Sequence, residues 1–209
     1  MKEKTFLILV IISLILINVF IIIRFYYFKH HEIANEAIYN NTAFNGGNDE
    51  LHSYMLNFST SILNSNLQLD GIMIKDTLDE IIPLTEAFNR GQKQILVCRF
   101  SKTHCESCVN FSIQKVRACV DSIGKDNVMF LGNYPNNRIF NKTIPLYGIE
   151  GLKVYNTSSL NIPVEELCYP YYFVLDKSLR ISNVFVPDKA TPHISNNYLR
   201  NIQNVFNLK

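Results

Sequence analysis

QILVCRFSKTHCESCVNFSIQKVRACVDSIG, residues 94–124, is the stretch of sequence that decides the fold. Its beginning, Gln94–Phe100, is mostly apolar and predicts a buried β-strand. After Cys105 and Cys108, apolar residues recur at steps of four and three as far as Ile123. This spacing predicts an amphipathic helix that ends near Gly124. The Cys-x-x-Cys pair is therefore predicted to lie between a buried strand and the start of a helix.

A cysteine pair in this position is suited to thiol–disulfide chemistry. The unpaired backbone N–H groups and the dipole of a helix favour an anion at its N-terminus, and the thiolate is the reactive form of cysteine. Cys108 lies one turn after Cys105, so it is expected to be more buried and able to resolve a mixed disulfide. The alternative is a metal site formed by His104, Cys105, Cys108 and Cys168. We predict no metal, because the chain has no second Cys-x-x-Cys pair.

The segments around this stretch predict an α/β domain. Hydrophobic periodicity predicts four further strands and a closing helix, in chain order at Asn127–Gly132, Leu152–Tyr155, Tyr171–Asp176, Leu179–Val186 and, for the helix, Ser195–Leu208. Upstream, Ile72–Lys75 is predicted as a short edge strand, and Pro83 interrupts any helix in Thr77–Phe88. The order of elements predicts a three-layer fold with a mixed central sheet.

Two motifs resemble the thioredoxin superfamily. Phe100–Cys108 resembles its junction between strand and active site, and Tyr169–Asp176 resembles its cis-proline loop and the following strand. The resemblance covers residues 71–208 and is nearest to the membrane-anchored TlpA/ResA-like thiol-disulfide oxidoreductases. It implies that Cys105 attacks, that Cys108 resolves, and that Pro170, with Tyr169 and His104 beside it, contacts the substrate. It implies no cofactor other than the redox-active Cys105–Cys108 disulfide.

The residues around the pair depart from the family pattern. His104 stands where the family usually has Trp, and Glu106-Ser107 replaces a pair that commonly includes Pro. Glu106 is expected to oppose thiolate formation at Cys105, whereas a protonated His104 would favour it. These opposing effects leave the redox direction open.

Three further cysteines lie outside the pair. Cys168 is two positions before Pro170, in the loop expected to face the site. Two interpretations are open for Cys168. It is either a third thiol that reaches Cys105 or Cys108, or a small buried hydrophobe beside a strand, and we favour the second. Cys98 lies within the predicted strand and Cys119 lies midway along the predicted helix, so both are interpreted as structural thiols.

The N-terminal segment predicts a membrane anchor. Thr5–Ile23 is an apolar run interrupted only by Ser13 and Asn18, which is long enough to cross a bilayer as a helix. Bulky residues stand where a signal peptidase site would need small ones, so we expect the anchor to be retained. The N-terminus is predicted in the cytoplasm and the domain outside it, on the periplasmic or outer face.

These features predict three regions. Residues 1–24 form the anchor, residues 25–70 a partly helical spacer, and residues 71–209 the thioredoxin-like domain. A spacer helix is predicted at Asp49–Leu63, with its apolar residues near one face, namely Leu51, Tyr54, Met55, Phe58 and Ile62.

The predicted function is that of an extracytoplasmic thiol-disulfide oxidoreductase acting on protein thiols or disulfides, with an electron donor that the sequence does not specify. The alternative is a protein-binding module of the same fold with little redox turnover. The formal charge of +2 resides in residues 1–24, which leaves the remainder neutral, so no nucleic-acid partner is expected.

Overall fold

The computed structural model describes residues 48–207. The predicted anchor at Thr5–Ile23 lies outside these residues. Between residues 48 and 207, no helix combines the length and the apolar character needed to span a membrane. The five α-helices of the described region are α1 (Asn48–Asn64), α2 (Glu106–Arg117), α3 (Val120–Ile123), α4 (Asn137–Tyr147) and α5 (Pro192–Asn207).

The centre of the domain is a mixed β-sheet with seven strands in the described region. The strands are β1 (Met73–Lys75), β2 (Ile81–Pro83), β3 (Gln94–Ser101), β4 (Val128–Asn133), β5 (Lys153–Asn156), β6 (Tyr171–Asp176) and β7 (Ile181–Phe185). Their order is β2-β1-β5-β4-β3-β6-β7. Strands β3, β4 and β5 are parallel, whereas β6 and β7 continue the sheet in antiparallel pairing on one side and β1 and β2 on the other.

This architecture confirms the predicted mixed α/β fold. The structure contains the strand–helix–strand order around the cysteine pair, the later hairpin of β6 and β7, and the closing helix α5, all in the predicted sequence. The predicted edge strand is the exception, because β1 is covered by β2. Strand β2 takes the edge position instead. Proline is tolerated on an edge strand, so the missing N–H of Pro83 costs the sheet no hydrogen bond.

The helix predicted to run to Ile123 is divided in two. The N–H of Cys119 donates to the carbonyl of Val116 at 2.9 Å, an i→i−3 bond that tightens the last turn after α2. The chain then begins α3 and ends it at Gly124, whose φ of 91° suits glycine. The apolar stripe survives this break, because Val109, Ile113, Val116 and Ile123 are all buried.

Two hydrophobic cores lie on opposite faces of the sheet. Strand β3 supplies both, with Leu96, Cys98 and Phe100 in the core beneath α2, α4 and α5, and Ile95 and Val97 in the other. The second core is covered by α1, by loops and by short 3₁₀ segments, among them Leu84–Ala87 and Pro163–Leu167. The three layers expected from the sequence are therefore present.

Arg99 is the one charged residue of β3, and it is almost fully buried, with 1% of its side chain exposed. Its Nε and one terminal nitrogen donate to Glu165 Oε1 at 3.1 and 2.9 Å. The remaining donors reach the carbonyl oxygens of Gly132, Thr157 and Ser158 at 2.8, 3.4 and 2.5 Å. These bonds join β3 to β4, to the loop after β5 and to the 3₁₀ segment that precedes β6.

Helix α1 presents its polar side to the domain. Asn57 donates to the carbonyl of Val186 and accepts from its N–H, and Asn64 accepts from the N–H of Val164 at 3.1 Å. The predicted apolar stripe faces outward, with Leu51, Tyr54, Met55, Phe58 and Ile62 between 48% and 71% exposed. Side-chain hydrogen bonds to otherwise unpaired backbone groups therefore decide which face of α1 is buried.

The substitution Arg99→Met should lower the free energy of unfolding by about 3 kcal/mol, because it leaves the partly buried carboxylate of Glu165 without its cation. Chemical denaturation at pH 7 measures this loss. Arg138→Met removes an exposed arginine of α4 and is the matched control, with an expected change within about 0.5 kcal/mol. Equal values for the two variants would contradict the role assigned to Arg99.

The same pair predicts a pH dependence. Burial alone would raise the pKa of Glu165, but the Arg99 charge and the hydrogen bonds from Ser159, Arg99 and Leu160 lower it overall from 4.5. A carboxylate with a lowered pKa stabilises the folded state above its unfolded pKa and loses that contribution as the pH falls. The stability gap between wild type and Arg99→Met should therefore narrow below about pH 4.5.

Candidate functional site

Cys105 is the N-cap residue of α2. Its carbonyl oxygen accepts hydrogen bonds from the N–H groups of Cys108 at 3.0 Å and Val109 at 2.9 Å. The connection from β3 is a tight turn in which the N–H of His104 donates to the carbonyl of Ser101 at 3.1 Å. The Cys105 side chain is exposed, so its sulfur sits at the helix N-terminus and is open to solvent.

The pKa values of the two cysteines are shifted in opposite directions. Hydrogen bonds from the Cys108 side chain, from Ser107 and from the Cys108 N–H lower the pKa of Cys105 to about 7. The Ser107 Oγ lies 3.2 Å from the Cys105 Sγ. Burial, followed by the interaction with Cys105, raises the pKa of Cys108, which is half-buried. The exposed thiol is therefore the one that ionises near neutral pH, and the raised pKa of the inner thiol keeps it protonated there.

Lys189 is a site residue that the sequence analysis missed. It belongs to the loop between β7 and α5, and its Nζ donates to Ser107 Oγ at 2.8 Å. Its positive charge also lowers the pKa of Cys105. No local motif marks Lys189, because it lies 82 positions after Ser107 and meets it only through the fold.

His104 does not supply the positive charge considered for it. Burial, and then the neighbouring Arg99 charge, lower its pKa to about 4, so the imidazole is neutral near pH 7. Its Nδ1 accepts a hydrogen bond from the N–H of Ser101 at 3.2 Å, which places the remaining proton on Nε2. A protonated His104 would favour the thiolate, but the imidazole does not carry that charge near pH 7, and hydrogen bonds lower the pKa of Cys105 instead.

The Tyr169-Pro170 segment lies at the same end of the sheet as the cysteine pair. Strand β6 runs antiparallel to β3 with Tyr171 opposite Arg99, so the residues just before β6 lie beside the end of β3. Pro170 is buried and Tyr169 is 48% exposed. The cis assignment is wrong, because residues 48–207 contain no cis peptide bond. The trans form is also the intrinsically favoured isomer of an X–Pro bond.

Cys168 is exposed rather than buried, which corrects the favoured interpretation of this thiol. It adopts a left-handed conformation with φ of 55° where the 3₁₀ segment Pro163–Leu167 ends. It lines a cavity of about 200 Å³ together with His104, Arg99 and Glu165. Cys168 therefore lies at the same cavity as His104, the residue next to Cys105, and is a free thiol.

The remaining features bear on the alternative sites. Cys98 and Cys119 are buried in the core beneath α2, as expected of structural thiols. Within residues 48–207, no three His, Cys, Asp or Glu side chains gather closely enough to hold a metal ion. On the other side of the pair, a groove of about 470 Å³ is lined by Glu106, Ser107, Asn110, Leu146 and Tyr147.

The fold and the site together define a mixed α/β domain with an exposed cysteine at a helix start and a half-buried partner thiol. No protein-family profile and no curated protein sequence matches the chain significantly. The description of the domain therefore rests on its strand order and on the position of the cysteine pair.

Several solved structures resemble the chain. A thiol:disulfide interchange protein from Bacteroides sp. has a TM-score of 0.48 and 10% identity, over 69% of this chain and 91% of that one. Peroxidoxin BcpB from Mycobacterium tuberculosis has a TM-score of 0.47 and 11% identity, over 67% and 98%. The mitochondrial 2-cys peroxiredoxin from Plasmodium falciparum has a TM-score of 0.43 and 14% identity, over 70% and 95%. These values are too low to transfer an activity.

The pH dependence of alkylation tests the acidity of Cys105. Modification of Cys105 by iodoacetamide, followed by peptide mass spectrometry, should have a midpoint near pH 7, because only the thiolate reacts. Cys108→Ala removes the main hydrogen bond to Cys105 and should move the midpoint toward the ordinary value of 9.0.

Cys119→Ala, a buried thiol of the same helical region, is the matched control and should leave the midpoint unchanged. A midpoint near 9 in the wild type would show that the hydrogen bonds at Cys105 do not stabilise its thiolate.

Proposed function

We propose that this protein is a thiol-disulfide oxidoreductase that acts on protein substrates through Cys105 and Cys108. The observation that carries the proposal is the asymmetry of the pair. Cys105 is exposed with a pKa lowered to about 7, and Cys108 is half-buried with a raised pKa. An attacking thiol reacts fastest when its pKa lies near the ambient pH.

The reaction divides into two exchanges. The Cys105 thiolate attacks one sulfur of a substrate disulfide, so a Cys105–substrate bond forms and the other substrate sulfur leaves as a thiolate. Cys108 then loses its proton to water, attacks the Cys105 sulfur, and releases the second substrate thiolate. The substrate gains two electrons and the enzyme is left with the Cys105–Cys108 disulfide; the reverse sequence oxidises a dithiol substrate.

The surroundings of the pair support a polypeptide as substrate. Tyr169 lies exposed at the same end of the sheet, and the groove that contains Glu106 and Ser107 opens beside Cys105. Leu146, at the wall of that groove, is 79% exposed and offers an apolar contact. An open surface with apolar and polar contacts suits a protein chain carrying a cysteine. We assign Tyr169 and His104 to substrate contact, with the buried Pro170 supporting the Tyr169 segment.

Anchoring and location are part of the proposal. The apolar run Thr5–Ile23 supports a single membrane anchor. We propose that the anchor places the domain on the extracytoplasmic side of the membrane, where disulfides persist and protein substrates carry them. Tethering would raise the effective concentration of the domain near membrane-bound partners.

Reduction of insulin disulfides by the full-length chain in detergent, with dithiothreitol as electron donor, tests the activity. The wild type should accelerate reduction and Cys105→Ser should abolish the acceleration, because the attacking sulfur is lost. In a separate reaction without dithiothreitol, the reduced Cys108→Ser variant should accumulate a mixed disulfide between Cys105 and insulin, because attack proceeds without resolution. The matched control Cys119→Ala should retain wild-type activity.

A wild type no faster than Cys105→Ser would contradict the enzyme proposal. In that case the alternative is a binding module of the same fold, which would hold a partner at the Tyr169-Pro170 segment without turnover.

A further inference from the structure

A chain of polar contacts leads from the loop between β7 and α5 to the exposed thiol. Lys189 Nζ donates to Ser107 Oγ at 2.8 Å, and Ser107 Oγ lies 3.2 Å from Cys105 Sγ. Lys189 thus reaches the site from a distant part of the sequence. Among the described residues, Ser107 is the only one that is hydrogen-bonded to both Lys189 and the sulfur of Cys105.

The chemistry of these groups gives the chain a direction. A lysine ammonium has three donors and no acceptor, so Ser107 Oγ must accept from Lys189. The hydroxyl proton of Ser107 is then free to point at Cys105 Sγ, which as a thiolate is an acceptor. A donor that is itself bonded to a cation is polarised and binds an anion more strongly. Lys189 therefore makes Ser107 a donor to the sulfur.

The position of Lys189 is set by the fold rather than by its own flexible side chain alone. The N–H of Ala190 donates to Asp188 Oδ1 at 2.8 Å, and the N–H of Thr191 donates to the Asp188 carbonyl at 3.3 Å. Thr191 Oγ1 donates to Ser53 Oγ at 3.1 Å on α1. The polar face of α1 therefore fixes the loop that carries Lys189.

The other ionisable groups near Cys105 do not duplicate this contribution. Cys108 is its hydrogen-bond donor, and Glu106 carries the charge of the opposite sign. His104 is neutral near pH 7, since its pKa is lowered to about 4 by burial and by Arg99. Lys189 is the cation that the loop side of the site supplies.

We propose that Lys189 is a positioning residue that acts through Ser107 to hold Cys105 as the thiolate, and so shifts the cysteine pair toward its reduced form. The identity of Cys105 as the nucleophile rests on the proposed function. A reduced form that is stabilised in this way makes the disulfide a stronger oxidant. Lys189 thereby influences the redox direction that the Cys-Glu-Ser-Cys motif alone leaves open.

The test is the pH dependence of Cys105 alkylation in the full-length chain. Lys189→Gln should raise the midpoint above the wild-type value of about 7. At pH 7 the rate should fall about twofold to fivefold, the range for an exposed charge. Lys189→Arg should keep the wild-type midpoint, and Lys115→Gln, which removes a partly exposed lysine of α2 bonded to Asn196, should leave the midpoint unchanged.

Three further readouts test the proposal, and the first of them separates a relay through Ser107 from a general effect of charge or structure. In a Ser107→Ala background, Lys189→Gln should have a much smaller effect, because the relay is already cut. Raising the salt concentration from about 0.05 to about 1 M should raise the midpoint of the wild type but not of Lys189→Gln, since salt screens exposed charges. The reduction potential of Lys189→Gln should be lower than that of the wild type.

A Lys189→Gln midpoint equal to that of the wild type would overturn the proposal, and an undiminished shift in the Ser107→Ala background would overturn the relay. Circular dichroism checks that the variants are folded, which is expected because Lys189 is exposed. If the midpoint shifts as expected but the wild type does not reduce insulin, the proposed function fails and this inference stands. If insulin is reduced and the midpoint does not move, only this inference fails.

Discussion

The buried guanidinium of Arg99 is the interaction on which the site depends. Its donors reach Glu165 and three backbone carbonyl oxygens, so the charge is fully paired where almost no solvent reaches it. A lone buried charge would destabilise the fold by several kcal/mol, whereas this one ties four segments together. Of these four segments, β3 leads into the cysteine pair, and the 3₁₀ segment that carries Glu165 leads into Cys168 and Pro170. The two halves of the site therefore share one anchor.

The same charge also shapes the chemistry around the pair. Arg99 helps to keep the neighbouring His104 neutral, so the imidazole is not a competing cation at the site. Stabilisation of the Cys105 thiolate is left to Cys108, Ser107 and Lys189, all of which contact or face the exposed sulfur. Acidity is consequently set by hydrogen bonds on the solvent side of the helix start, while the buried ion pair sets position. This separation explains how Glu106, a neighbour of unfavourable charge, is tolerated beside a thiol of pKa about 7.

The sequence predicts the fold better than it predicts the site. Periodicity placed β3, α2, β4 and the hairpin of β6 and β7, because burial of one or both faces imposes a regular apolar pattern on each element. It also placed a helix near Asp49–Leu63, but not its orientation, since the hydrogen bonds that Asn57 and Asn64 make with distant backbone groups hold the polar face of the helix against the domain and leave its apolar stripe outward. Such long-range bonds leave no periodic signal.

Within the site, the local sequence pattern predicts the cysteine pair and its place at the start of a helix. It does not predict which residues contact the pair. The neutral state of His104 depends on Arg99, which only the folded chain brings near it. Lys189 and Glu165 lie far along the chain from the residues they bond. Arg99 was visible as a charge in an apolar strand, which is a signal that a buried ion pair should be sought. Cys168 is exposed where a left-handed turn ends a 3₁₀ segment. The residues around it in the sequence do not predict this conformation.

The central claim is that Cys105 and Cys108 form a reversible redox pair. Peptide mapping by mass spectrometry, after equilibration of the full-length chain in glutathione buffers of graded potential, tests it most directly. The account predicts a disulfide between Cys105 and Cys108 that forms in oxidising buffers and disappears in reducing ones, while Cys98, Cys119 and Cys168 form no disulfide within the chain. A Cys105 that pairs instead with Cys168, or a pair that stays reduced in the most oxidising buffer, would contradict it.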